Sequence, residues 1–151
     1  ILRFANIIGP RSNHGVIIDF INKLKSNPRE LKILGDGSQS KSYLHINDCV
    51  EAILLATKSF LKSGERVQVY NVGSADCVTV KRIAEVVVQE LELKGVKLSF
   101  TGGVDGGRGW LGDVKFMHLS VDKLRKIGWT PRYRSEESIR VVVREIVKET
   151  S

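Results

Sequence analysis

The sequence has 151 residues, of which 42% are hydrophobic and 27% are charged, and its formal net charge is +7. This length and composition are typical of one globular domain. The longest apolar stretches, such as residues 53–56 and 86–88, are far too short to span a membrane, and no charged-then-apolar leader opens the sequence. We therefore expect a cytoplasmic protein without a membrane partner.

The positive charge could indicate a nucleic-acid partner, because lysine and arginine contacts with phosphate supply most non-specific affinity. The 24 Lys and Arg residues are, however, spread along several predicted helices and mostly alternate with acidic or apolar positions. This spread favours solvated helix faces and no nucleic-acid partner, while a modest basic field also suits an anionic small substrate. The number and spacing of Cys49 and Cys77 indicate neither a disulfide scaffold nor a metal site, so both are interpreted as small buried hydrophobes.

Strands and helices alternate along the first half of the chain. Residues 2–8 are apolar on both faces of a predicted strand, which is typical of a buried parallel strand. Gly15 opens a helix that ends before Pro28, and short strands are predicted at residues 31–34 and 43–46. The next helix, capped by Asn47 or Asp48 and running to about Lys62, is predicted to direct an apolar set inward: Ile53, Leu54, Ala56, Phe60 and Leu61.

The second half continues the alternation, which indicates an α/β class. Residues 67–72 and 96–100 are predicted strands, and Thr79 is predicted to cap the helix between them. A glycine-rich loop follows at residues 102–112. Two further helices are expected to begin at Ser120 and Ser135.

Residues 3–10 fit Arg-x-x-Asn-x-x-Gly-Pro, and residues 35–48 read GDGSQSKSYLHIND. These two motifs resemble the signature of the second half of the nucleotide-sugar epimerases and dehydratases, the extended short-chain dehydrogenase/reductase family, in which the second motif has the form GDGxQxRDxxxVxD. Residues 70–73 and 128–131 fit two further family patterns, so the resemblance covers essentially the whole chain. It implies two strands of a Rossmann sheet, near residues 2–7 and 67–72, and a small mixed α/β substrate-binding lobe.

The resemblance implies a set of residues that bind a UDP-sugar or a related nucleotide-sugar. Asn6, which the sequence alone leaves open between bracing a turn and reaching a ligand, is implied to contact the ligand near its diphosphate. Lys41 takes the place of the family's diphosphate-binding arginine and loses that side chain's bidentate fork. The remaining residues implied by position are Gly15 and Val16 at a helix start, Lys32, Ile33 and Leu34 beside the base, and Ala5 on the side of the NAD cofactor.

The glycine-rich loop satisfies GxxGxxG spacing at residues 103–109, but we reject it as a dinucleotide fingerprint. That fingerprint needs a turn from a strand directly into a helix, and no helix is predicted here before Ser120. A flexible loop that covers the substrate is the preferred interpretation. The family has Arg-x-Gly-Asp at this place, which implies Asp113 as a substrate residue. Two alternatives are open for the arginine's role: Arg108 takes it from two positions earlier, or Trp110, at the arginine's own position, packs or stacks there instead.

Catalysis by this family uses a Tyr-x-x-x-Lys pair, in which the lysine lowers the pKa of the tyrosine. Tyr43, Tyr70 and Tyr133 are followed four residues later by Asn, Ser and Glu, and the three histidines are interpreted as structural. The chain begins at Ile1 with a predicted strand, so we expect a fragment whose NAD-binding half lies elsewhere and which is inactive and self-associating alone. An epimerase that oxidises and re-reduces C4 of the sugar is implied for the parent. A sugar-nucleotide dehydratase and a non-catalytic binding module or inactive remnant are the alternatives.

Overall fold

The computed structural model describes residues 1–150, and the chain has an α/β architecture of short strands and longer helices. The strands are β1 (Leu2–Phe4), β2 (Asn6–Ile8), β3 (Glu30–Ile33), β4 (Ser40–Lys41), β5 (Tyr43–His45), β6 (Tyr70–Val72), β7 (Val78–Thr79), β8 (Lys97–Phe100) and β9 (Phe116–Met117). The helices are α1 (Val16–Ser26), α2 (Ile46–Ser63), α3 (Val80–Glu90), α4 (Asp122–Lys126) and α5 (Ser135–Thr150).

The strands pair into four small sheets. Three are parallel pairs, β1 with β6, β2 with β5, and β3 with β8, whereas β4 lies between antiparallel β7 and parallel β9. The prediction of one strand over residues 2–8 is wrong, because the chain changes partner at Ala5. The Ala5 N–H donates to the Val72 carbonyl at 2.8 Å, and the next N–H, of Asn6, donates to the Ser42 carbonyl at 3.2 Å.

The core has two parts. Helices α1, α3 and α5 pack together over β3 and β5, and their apolar faces form the larger cluster. The smaller cluster lies between α2, α4 and β6 and includes Cys49 and Trp129. Cys49 is therefore buried as predicted, while Cys77 is only partly buried, and burial raises the pKa of both thiols. In the described part of the chain, no helix has the length and apolar character needed to cross a membrane.

Several predicted helix ends are confirmed. The Thr79 hydroxyl oxygen accepts from the Arg82 N–H at 3.2 Å, and Gly64 ends α2 in the left-handed region at φ 69°. The cap of α2 is a correction, because His45 precedes the helix and its Nδ1 accepts from the Asn47 N–H at 3.2 Å. Asp48 is instead buried, and its carboxylate accepts from the Arg132 N–H at 2.9 Å.

The predicted inner face of α2 is confirmed in part, because Ala56 is buried and Ile53 packs against the smaller cluster. Cys49, Ala52 and Ala56 face the core, whereas Leu54 is 65% exposed and Leu61 is 77% exposed. The apolar residues of α2 that are fully buried have small side chains, and the helix packs against the short strands β2, β5 and β6. Of the larger apolar side chains, Ile53 and Leu55 are partly buried against the smaller cluster, whereas Leu54 and Leu61 are exposed.

Candidate functional site

Two adjoining clefts lie beside the N-terminus of α1. The larger has a volume of about 400 Å³ and the smaller about 280 Å³. Their common wall is formed by Gly15, Val16, Lys41, Tyr43 and Trp110. A ligand with two parts could therefore occupy both clefts and place its middle at this wall.

The clefts bring together most of the residues that the sequence singled out. The predicted site residues that line at least one cleft are Asn6, Gly15, Val16, Leu34, Lys41, Trp110 and Asp113. Three other predicted residues lie apart from them. Ala5 is buried where the first strand changes partner, the Ile33 side chain is in the core, and Lys32 lines a separate groove with Lys23.

Arg108 is also outside both clefts. Its guanidinium pairs with the carboxylate of Asp105 and donates to the Asp105 carbonyl, within the glycine-rich loop. Of the two alternatives for the family's arginine position, the structure therefore brings Trp110 to the clefts and leaves Arg108 in contact with its own loop.

The N-terminus of α1 offers backbone donors to the clefts. Gly15 precedes the helix at φ 103° and provides no side-chain cap. A Cβ at this position would meet nothing within 4 Å, so the backbone conformation, not space, accounts for the glycine. Because the first N–H groups of a helix have no partner within the helix, and the helix dipole is positive at this end, this wall favours an anion.

Lys41 is held against the same wall by a buried carboxylate. Its Nζ donates to Asp113 Oδ1 at 2.9 Å, with 20% of the lysine side chain and 3% of the aspartate side chain exposed. Burial alone would raise the pKa of Asp113, but hydrogen bonds from Lys41, the Gly109 N–H and Gln39, with the lysine charge, outweigh it and hold that pKa below its usual range. Asp113 is therefore ionised at neutral pH.

Gln39 and Tyr43 line the site although the sequence did not assign them a role. Gln39, Lys41 and Tyr43 are spaced two residues apart along one extended segment, and all three line the smaller cleft. Because every second residue of an extended segment lies on the same face, this spacing could have predicted that Gln39 and Tyr43 share a face with Lys41. Burial, followed by the charge of Asp113, raises the pKa of Tyr43 to about 12. Tyr43 thus keeps its proton and presents a neutral hydroxyl.

Asn6 lies where β2 begins, and its side chain contributes to the larger cleft. Its Nδ2 donates to the Ser42 carbonyl at 3.0 Å, which braces the chain just before β5. The bracing role that the sequence left open is therefore present, and the same side chain also lies in the cleft wall. Ser12 and His14, from the loop before α1, line this cleft as well.

The glycine-rich loop carries Trp110 and Asp113 to the clefts. Val104 and Arg108 form an antiparallel bridge, and the Gly107 carbonyl accepts from the Asp36 N–H at 2.9 Å. Gly107 has φ 92°, and a Cβ there would lie 1.9 Å from Asp36 Oδ2, so the backbone conformation and this close approach together favour glycine. The next helix in the chain is α4, which begins at Asp122, so the spacing GxxGxxG does not lead into a helix here.

Known proteins share this architecture. The model of the "NAD dependent epimerase/dehydratase family" matches residues 1–73. The GDP-mannose 3,5-epimerase of Arabidopsis thaliana is 29% identical over 144 residues, which are 92% of this chain and 35% of that protein. Two solved structures are also similar, and each match covers 99% of this chain and 46% of the chain in that structure. One is a UDP-galactose 4-epimerase, with 40% identity and a TM-score of 0.86. The other is the UDP-glucose 4-epimerase of Thermotoga maritima with UDP-glucose, with 26% identity and a TM-score of 0.78.

The chain thus spans less than half the length of each of these proteins. The fold corresponds to the C-terminal part of the extended short-chain dehydrogenase/reductase epimerases, with the small parallel and mixed sheets described above. The motifs, the family model and the solved structures agree that the chain is similar to the C-terminal part of proteins of the NAD-dependent epimerase/dehydratase family.

Proposed function

We propose that this chain is the nucleotide-sugar-binding part of an NAD-dependent sugar-nucleotide epimerase similar to UDP-glucose 4-epimerase. The observation that carries the proposal is the shared wall of the two clefts, where Lys41 and the open N-terminus of α1 meet. A cation and free backbone N–H groups at one place suit a diphosphate. The clefts on either side leave room for the sugar and the base.

The chemistry of the two clefts differs in a way that supports this orientation. Asn6, Ser12 and His14 line the larger cleft, and their polar atoms suit a ligand part rich in hydroxyl groups. Phe20, Leu34 and Val80 line the smaller cleft, and their apolar surfaces suit the faces of a planar base. We therefore assign the sugar to the larger cleft and the base to the smaller one.

In this proposal the chain contributes binding and orientation. Lys41 and α1 would hold the diphosphate, Asn6 would contact the ligand near it, and Tyr43 would remain a neutral hydroxyl at the wall. Holding this remote part of the substrate fixes the position of the reacting sugar, which lowers the entropic cost of the chemical step.

NAD supplies the hydride chemistry in enzymes of this type. The glycine-rich loop of this chain does not fit its pyrophosphate, because Gly107 packs on Asp36 and the loop does not continue into a helix. No catalytic step is therefore assigned to residues of this chain, and the cofactor and the catalytic tyrosine are assigned to a different segment of the enzyme.

Calorimetric titration of the chain with UDP, UDP-glucose and NAD tests the proposal. We expect weak binding of UDP or the UDP-sugar, because the diphosphate wall and its two flanking clefts are present. We expect negligible heat with NAD, because the glycine-rich loop does not lead into a helix as a dinucleotide fingerprint does. Tight NAD binding without a response to UDP would reverse the assignment. Salt-sensitive binding of duplex DNA with no response to UDP would instead favour a nucleic-acid function.

A further inference from the structure

Trp110 is a large aromatic side chain held at the surface of the site. It is 57% exposed and lines both clefts. The other tryptophan, Trp129, is 4% exposed and belongs to the core cluster under α2. When a flat ligand covers an exposed indole at the mouth of a cleft, apolar surface is removed from water, and this favours binding.

The loop ties Trp110 to the cation of the site. The Trp110 carbonyl accepts from the Asp113 N–H at 3.1 Å, and the Asp113 carboxylate accepts from Lys41 Nζ. The same carboxylate accepts from the Gly109 N–H at 3.2 Å, so Asp113 is hydrogen-bonded to Trp110 and to the residue before it. The aromatic ring and the ammonium group are therefore presented to a ligand by one hydrogen-bonded unit.

The smaller cleft provides the second surface for a planar ring. It combines the apolar residues Phe20, Leu34 and Val80 with the polar side chains of Gln39 and Asp113. A nucleobase has this combination, with two apolar faces and a polar edge, whereas a sugar offers hydroxyl groups around its ring.

We propose that Trp110 is a binding residue that stacks on the base of the bound nucleotide and helps to determine its affinity. This inference rests on the proposed nucleotide-sugar function. It adds a contact with the base, which Lys41 and the N-terminus of α1 do not provide because they contact the diphosphate. Stacking tolerates different bases, because every base has a π face. Trp110 therefore favours nucleotides over bare pyrophosphate without selecting one base.

Intrinsic fluorescence tests the contact directly. In a Trp129→Phe variant of the chain, Trp110 is the single remaining tryptophan. We expect UDP to quench its emission in a saturable way, and inorganic pyrophosphate, which has no ring to stack on the indole, to leave the emission nearly unchanged. Quenching by UDP-glucose but not by UDP would place the sugar against Trp110 and overturn the proposal.

Affinity in the background that keeps Trp129 provides an independent measurement. Trp110→Ala is expected to weaken UDP binding by about 5- to 150-fold, with pyrophosphate affinity unchanged and most of the UDP affinity kept in Trp110→Phe. Leu111→Ala is the matched control, because Leu111 is 83% exposed on the same loop and lines neither cleft. Its UDP affinity should equal that of the wild type.

The two proposals fail in different ways. If wild type and Trp110→Ala bind UDP equally and the emission does not respond, Trp110 lies outside the nucleotide site while the proposed function stands. If calorimetry shows no binding of UDP or UDP-glucose to the wild type, the proposed function is wrong and the role of Trp110 is withdrawn with it.

Discussion

Lys41 combines a charge with partial burial, and this combination determines what it can contribute. Its partner Asp113 is nearly inaccessible to water, so the pair interacts more strongly than an exposed ion pair would. An ammonium group has three N–H donors, and one of them donates to Asp113. The remaining donors can bind ligand oxygens without breaking the pair.

Replacing Lys41 should therefore weaken the binding of UDP. Lys41→Ala is expected to cost about 1 to 3 kcal/mol of binding free energy, the range for a lost charge-assisted hydrogen bond. Lys41→Arg keeps the charge and should retain most of the affinity. Calorimetric titration of the three proteins, with circular dichroism to confirm that each is folded, measures the difference.

Lys58→Ala is the control that matches the change in net charge. Lys58 is exposed on α2 and lines neither cleft. Its substitution should leave UDP affinity within error of the wild type. Equal affinity for wild type and Lys41→Ala would remove Lys41 from the site.

At this scale the sequence predicted only part of the polar lining of the clefts, since Lys32 and Arg108 lie outside them. Asn6, Lys41 and Asp113 were identified because motifs mark them, and all three line the clefts. Ser12 and His14 were missed because they come from an irregular loop whose path depends on tertiary contacts. A sequence pattern carries no information on such a path.

Among the elements, the helices were predicted closely and the shortest strands were not. Helices α1, α3 and α5 have an apolar stripe of several turns, which a single sequence shows clearly. Strands β4, β7 and β9 have two residues each, which is too short for an alternating pattern to register. They exist because tertiary contacts bring their segments together.

The ion pairs between α3 and α5 also depend on tertiary structure. Arg82 donates to both carboxylate oxygens of Glu136, at 2.8 and 2.9 Å, and Arg140 joins Glu136 to Glu90. Hydrogen bonds from Arg82 and then from Arg140 lower the pKa of Glu136 from 4.5 to about 2, against the opposing effect of burial. The carboxylate is therefore more easily ionised in the folded chain than in the unfolded one.

This difference predicts how stability changes with pH. A lowered folded-state pKa stabilises the fold above the unfolded value, so the contribution of Glu136 is present at neutral pH and is lost as pH falls from 4.5 to about 2. Glu136→Gln should reduce the free energy of unfolding at neutral pH by about 0.5 to 1 kcal/mol, since the pair is partly exposed. Urea denaturation across that range should show the two proteins converging.

Glu137→Gln provides the comparison for this measurement. It removes the same charge from the adjacent, exposed position on α5. We expect its unfolding free energy to follow that of the wild type at every pH. A deficit in Glu136→Gln that persists unchanged to about pH 2 would contradict the assigned role of its carboxylate.

For the whole molecule, the informative feature is the apolar surface that the described residues leave uncovered. Phe4 in β1 is 47% exposed, and Val50, Leu54 and Leu61 of α2 are 45%, 65% and 77% exposed. Within residues 1–150, β1 and β6 pair only with each other, so both edges of this two-stranded sheet have no strand partner. We propose that β1 and β6 belong to the sheet of a cofactor-binding domain and that this domain covers both surfaces.

Open strand edges and contiguous apolar faces promote association, so we predict that the chain self-associates when it is studied alone. Light scattering should show a mass that rises with protein concentration. The double substitution Leu54→Lys and Leu61→Lys should lower that mass without changing UDP affinity, because neither residue lines the clefts.

A separately expressed cofactor-binding segment of the enzyme should give a monodisperse complex with epimerase activity. If the wild-type chain is instead a monomer at all concentrations and does not bind that segment, the apolar surface is not an interface and the chain is a self-sufficient domain.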